Sequence, residues 1–226
     1  MRILLVAATP FEIQGTFGYL QSTMQESKGL LVNDRLQIQV AITGVGLPLT
    51  AFGLGTLLAQ NSYDFAIQGG VAGALDRDLG LGEVVEVFSE RLADLGVEER
   101  NGDFTSAHDL NLIPPDMMPF RNGQLWNHPE VERAFLPKVH GISVNRVHGS
   151  AESIDKLRQR FPDAQVESME GAAFFYSCLI HDLNFLQIRA ISNYVEPRDR
   201  EKWQMQEAVT NLNAALIDLF RTLGVD

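Results

Sequence analysis

Six short apolar runs punctuate the chain, at residues 3–8, 36–43, 64–68, 83–88, 139–144 and 185–191. Each is bounded by glycine, proline or polar residues, which predicts strands. Between them, apolar positions recur at spacings of three and four, predicting helices over 10–24, 48–60, 151–160, 171–181 and 198–223. In the last of these, Trp203, Val209, Leu212, Leu216, Leu219 and Leu223 form one apolar stripe suited to covering a sheet. Strands alternating with helices indicate βα units on a largely parallel sheet. Residues 102–137 break the rhythm with Pro114, Pro115, Pro119, Pro129 and Pro137, and read as a long irregular excursion near a binding site or subunit contact. No composition shift marks a boundary, so residues 1–226 are expected to form one domain.

Composition narrows the class. The 226 residues are 45% hydrophobic and 21% charged, which suits a globular chain that buries a core without staples. The net charge of −11 argues against nucleic acid as partner, since phosphate backbones select basic surfaces. A single cysteine, Cys178, excludes an intrachain disulfide, and its apolar helical setting predicts a buried structural thiol. The apolar start, Met1 to Ala8, ends at Thr9-Pro10-Phe11-Glu12 without a cleavage context, so it reads as a buried strand rather than a signal peptide. No run approaches the ~18 apolar residues of a membrane span. A cytoplasmic location follows as the expectation.

Five stretches carry candidate chemistry. Gly44-Val45-Gly46 follows a strand, but Leu49 stands where a dinucleotide fingerprint needs its third glycine, so a tight turn is the better account. Gln68-Gly69-Gly70-Val71-Ala72-Gly73 ends a strand and exposes backbone N–H groups that a ligand can approach. Glu12 closes a capping box on Thr9, yet lies just past the first strand, where open α/β sheets place ligands. Glu167 and Glu170 flank Ser168 and Met169 at a predicted helix start, either as dipole partners or as a grip on vicinal hydroxyls. Asn193 ends the last strand and would serve as a turn residue or as a ligand. The residues alone leave these alternatives open. His108, His128, His140, His148 and His181 show no metal-ligand spacing, so neither metal nor other cofactor is implied.

Taken together and in order, Glu12, Gly69-Gly70-Val71-Ala72-Gly73, Met169-Glu170-Gly171-Ala172 and Arg189-Ala190-Ile191-Ser192-Asn193 resemble the purine nucleoside phosphorylase and methylthioadenosine nucleosidase superfamily. Within it, Ser89-Glu90-Arg91-Leu92-Ala93-Asp94-Leu95-Gly96 and Ser192-Asn193-Tyr194-Val195-Glu196-Pro197-Arg198 are similar to futalosine hydrolases. The resemblance implies a three-layer αβα fold around a central twisted mixed β-sheet, a small-molecule purine nucleoside as substrate, and a homo-oligomer, dimer or higher. It implies that Glu12 deprotonates the attacking water and that Glu170 binds the ribose hydroxyls. Met169 would lie against the sugar, and Gly70 and Val71 would line the substrate.

At the position of Asn193 the adenine-specific nucleosidases carry an aspartate. An amide can donate to O6 and accept from a protonated N7, which favours 6-oxopurines. The expected reaction is therefore release of hypoxanthine from futalosine, in menaquinone biosynthesis. A methylthioadenosine/adenosylhomocysteine nucleosidase and a purine nucleoside phosphorylase are the alternatives, with a non-catalytic nucleoside-binding protein behind them. For the distal carboxylate of futalosine, Arg91, Arg146, Arg198 and Arg200 are equal candidates.

Overall fold

A computed structural model describes residues 1–127 and 136–225. His128 and Pro129, noted above, lie outside the described residues. The strands are β1 (Arg2–Ala7), β2 (Gln25–Ser27), β3 (Leu30–Val32), β4 (Gln37–Ile42), β5 (Phe65–Ala74), β6 (Val84–Glu90), β7 (Gly96–Glu98), β8 (Phe104–Ser106), β9 (Leu125–Trp126), β10 (Lys138–Ser143), β11 (Val166–Ser168) and β12 (Phe185–Tyr194). The α-helices are α1 (Pro10–Thr23), α2 (Leu47–Gln60), α3 (Ala151–Arg160), α4 (Gly171–Ile180) and α5 (Met205–Thr222).

The main sheet runs β11-β10-β6-β12-β5-β1-β4-β3-β2, with β9 added to β6. Strands β4, β1, β5 and β12 are mutually parallel, whereas β12 and β6 are antiparallel, so the sheet is mixed. β11 pairs parallel with β10 and antiparallel with β5, closing β5, β12, β6, β10 and β11 into a ring. β1 explains the layering. Leu4 and Val6 enter one core with α2 and α4, while Ile3, Leu5 and Ala7 enter a second with α1 and α5. A strand covered on both faces loses the polar alternation of a half-exposed one, hence its continuous apolar run.

The structure departs from the sequence expectation in the two motifs that matter most. Residues 69–73 are not a loop but the second half of β5, and Asn193 lies inside β12 rather than in a turn after it. Glycines disfavour strands in general, but here neighbouring side chains occupy the space their Cβ atoms would need. Leu216 crowds Gly69, the Arg189 guanidinium fills the place beside Gly70, and Val195 crowds Gly73. β5 and β12 pair from Ala66 with Phe185 to Ala74 with Tyr194, with a register shift between Ile191 and Asn193. Ser192 is the extra residue, and the bulge re-aims the side chains that follow it.

Two boundaries also move. The closing helix begins at Met205 behind a single 3-10 turn at Arg200–Lys202. Trp203 therefore leaves the apolar stripe, which is carried by Ala208, Leu212, Leu216 and Phe220. Residues 166–168 form β11 instead of opening a helix. Cys178 is buried in α4 as expected, and burial pushes its thiol far above the ordinary range. Among the described residues no helix is long and apolar enough to cross a membrane.

Candidate active site

The C-terminal ends of β1, β5 and β12 meet the starts of α1 and α4 around a cavity of about 390 Å3. Its walls include Glu12, Val71, Met169, Glu170 and Asn193. Thus five of the six residues expected from sequence come together from four distant segments. Gly70 is the exception. It faces the Arg189 guanidinium and Glu12 from behind the wall, where any side chain would collide with both.

Glu12 caps its helix and lines the cavity. One carboxylate oxygen accepts from the Thr9 N–H at 2.9 Å and the Thr9 hydroxyl at 3.0 Å, capping α1. The other accepts from the Val71 N–H at 3.2 Å. The cap therefore orients the group towards the cavity.

A second device fixes it from below. α1 leaves helical geometry at Ile13, and the cause is Asn213 of α5. Its Nδ2 donates to the Glu12 carbonyl at 2.9 Å, and its Oδ1 accepts from the Thr16 N–H at 2.7 Å. Those two groups would bond to each other in a regular helix, so the amide is inserted into the ladder.

Glu170 stands at the N-cap position of α4, and its side chain reaches across to the start of α2. Its Oε1 accepts from the Gly46 N–H at 3.0 Å, and Gly46 has φ +99°, a conformation that suits glycine. Its Oε2 lies 3.5 Å from Arg189 Nη1. Burial pushes the Glu170 carboxyl above the ordinary range and the Glu12 charge adds to this. Arg189 and the Gly46 N–H oppose the rise.

Arg189 is 1% exposed and also donates to Gln68 Oε1 at 3.2 Å. Within electrostatic reach of it is Glu90, fully buried, whose Oε2 accepts from the Ser143 hydroxyl at 2.9 Å while Oε1 has no partner among the described residues. Burial pushes the Glu90 carboxyl up to about 8, against the pull of Arg189. It belongs to a buried polar layer with Arg189, Gln68, Gln187 and Ser143.

The opposite end is uncharged at its centre. Asn193 Nδ2 donates to the Tyr194 carbonyl at 3.0 Å, and Oδ1 accepts from the Ser192 hydroxyl at 2.8 Å. One N–H and one lone pair remain for a ligand. Of the four arginines considered from sequence, Arg198 alone is on the cavity wall. Arg91 is held by Asp163 at 2.8 Å. Sequence reasoning assigned no role to Arg189, Glu90, Asn213 or His148, and weighed Glu167 only as a dipole partner or a hydroxyl ligand. Arg189 and Glu90 were visible as charges inside apolar strands, a signal of buried pairing.

Comparisons with known proteins identify the family. The phosphorylase superfamily model matches residues 27–221. A futalosine hydrolase of Thermus thermophilus is 31% identical over 80% of this chain and 80% of its own. Another from Acidothermus cellulolyticus is 27% identical over 96% of this chain and 89% of its own. The solved S-adenosylhomocysteine nucleosidase from Streptococcus pyogenes, in complex with 5-methylthiotubericidin, superposes with a TM-score of 0.77 at 17% identity, covering 100% and 98% of the two chains. The chain belongs to the phosphorylase superfamily, as one of its N-glycosyl hydrolases.

Proposed function

We propose that the chain hydrolyses a 6-oxopurine nucleoside, with futalosine as substrate and hypoxanthine as leaving base, as a step of menaquinone biosynthesis. Glu12 takes a proton from a water, whose oxygen attacks C1′ of the ribose. The C1′–N9 bond breaks with its electrons passing into the purine, which is protonated as it leaves. Glu170 accepts from the two ribose hydroxyls and Met169 packs against the sugar. Carboxylates near C1′ stabilise the positive charge that develops there.

One observation carries the choice of water over phosphate. Glu12, Glu167 and Glu170 line the cavity, and Arg198 is the one Lys or Arg among its lining residues. A phosphate anion beside Glu12 would meet like charge, whereas a water meets a base. Asn193 supports the choice of a 6-oxo base, since an ionised aspartate there would face O6 with like polarity.

The test is product analysis with futalosine, inosine and methylthioadenosine, each with and without millimolar phosphate. Hypoxanthine and free sugar at a phosphate-independent rate are expected from the 6-oxo substrates. A sugar phosphate among the products, or a preference for methylthioadenosine, would overturn the reading.

A further inference from the structure

Beyond Asn193 the cavity adjoins a recess of about 60 Å3, lined in part by Gly73, His148, Glu167, Asn193, Arg198 and Trp203. Three strands place its polar groups side by side. Glu167 of β11 is the register partner of Gly73 in β5, and Gly73 is the partner of Asn193 in β12. Gly73 leaves the space between them open, since a Cβ there would lie 3.2 Å from Asn193 Nδ2 and 2.9 Å from Val195.

His148, in the loop between β10 and α3, is fixed on Glu167 at two points. Its Nδ1 bonds to Glu167 Oε2 at 2.5 Å, and its backbone N–H donates to Oε1 at 3.3 Å. Glu167 is itself buried. The carboxylate sets the ring orientation. Nε2 has no hydrogen-bond partner among the described residues and is left for a ligand.

This arrangement meets a chemical need. On the reading given above, the departing purine gathers negative charge and needs a proton, and the Asn193 amide cannot titrate. We propose that His148, oriented by Glu167, is the general acid that protonates the leaving base. The inference rests on the nucleoside-hydrolase reading. As the C1′–N9 electrons enter the purine, the Nε2–H bond breaks and its proton passes to N7. The imidazole is left neutral and regains its proton from solvent.

The other charged groups around the recess are Glu196, Arg198 and Asp199, with Glu12 and Glu170 across the cavity. Glu196 is engaged by Arg77 at 2.7 Å and Asp199 by Lys202 at 3.6 Å. Glu167 is thus the carboxylate that His148 answers to.

A purely structural pair would pin the 145–150 loop and do nothing else, so the test separates the two roles. His148→Asn keeps a donor where Nδ1 stood but removes the titrating proton. Its turnover of futalosine or inosine is expected to fall about 10²-fold, with loss of the alkaline limb of the kcat profile. Hydrolysis of 4-nitrophenyl β-D-ribofuranoside, whose phenolate departs without a proton, should stay near that of the unmutated chain. Glu167→Gln is the second variant, expected to give a smaller loss with the same split between the two substrates. Equal losses on both substrates, or an unchanged rate and pH profile on inosine, would overturn the assignment. Failure of the unmutated chain to release base from any purine nucleoside would overturn the hydrolase reading itself, and this inference with it.

Discussion

The two ends of the cavity are built on opposite principles. At one end Glu12 and Glu170, 7% and 5% exposed, are fixed by backbone N–H groups of Thr9, Val71 and Gly46 and by a buried guanidinium. Burying two acids side by side is costly, and every donor there offsets that cost. At the other end a half-buried amide and a histidine project from a bulge and a loop. Charge that must be held still is anchored to strand ends and helix starts. The uncharged end is carried instead by a strand bulge and a loop.

The largest expected effect lies at the charged end. Glu12→Gln keeps the cap geometry but cannot take a proton from water, so kcat should fall by about 10² or more with KM little changed. Near-normal turnover would leave Glu12 as a helix cap alone, and the contrast between the ends would lose its chemical meaning.

At the amide end, Asn193→Asp should change the choice of base rather than abolish the reaction. Hydrogen-bond mismatches of this kind separate substrates by roughly 2 to 4 kcal/mol in favourable cases. The ratio of kcat/KM for matched 6-oxo and 6-amino nucleosides should fall in the variant. An unchanged ratio would reduce Asn193 to a structural role in β12.

How much of this was legible in the sequence follows the same division. The six expected strands are all present, because a run buried on both faces has an unmistakable apolar content. Glu12 was placed correctly because proline and the capping box announce a helix start. The glycine run at 69–73 and the end of β12 were misjudged because local propensity was overridden by distant side chains. No local pattern says that Arg189, Leu216 and Val195 fill glycine's missing volume. His148 and Glu167 are 19 residues apart and meet only because β11 crosses back to β5, a pairing invisible in any local window.

Asn213 was equally hidden, yet it binds α5 to the charged end. Asn213→Leu would leave the Thr16 N–H and the Glu12 carbonyl without their present partner. If the helix cannot close that gap, stability should fall by about 1–3 kcal/mol, the penalty for buried unpaired groups. If it does close, α1 straightens and carries Glu12 with it, so kcat falls while stability recovers. Urea unfolding and kcat on one preparation decide between them, and a variant normal in both would show that the inserted amide does not position Glu12.

Glu90 provides the finest test of the charged end, through pH. Its carboxyl is held up to about 8 in the folded chain against an ordinary value of 4.5. Below 4.5 both states carry the proton, and the group contributes no pH dependence. Between that value and about 8 the unfolded chain gives up the proton and the folded chain keeps it, so stability falls as pH rises. The slope has a ceiling of about 1.4 kcal/mol per pH unit, and it levels off once both states are ionised. Glu90→Gln replaces the neutral acid with a neutral amide of similar shape and removes this term. The stability advantage of the variant should therefore be larger at pH 8 than at pH 5, measured by denaturant unfolding at both. A difference independent of pH would mean that Glu90 is ionised in the folded chain. Arg189 would then be shared between Glu90 and Glu170, and the acid expected to hold the ribose would lose part of its counter-charge. A difference that grows with pH leaves the guanidinium to Glu170 at neutral pH, where it opposes the upward push of burial on that carboxyl.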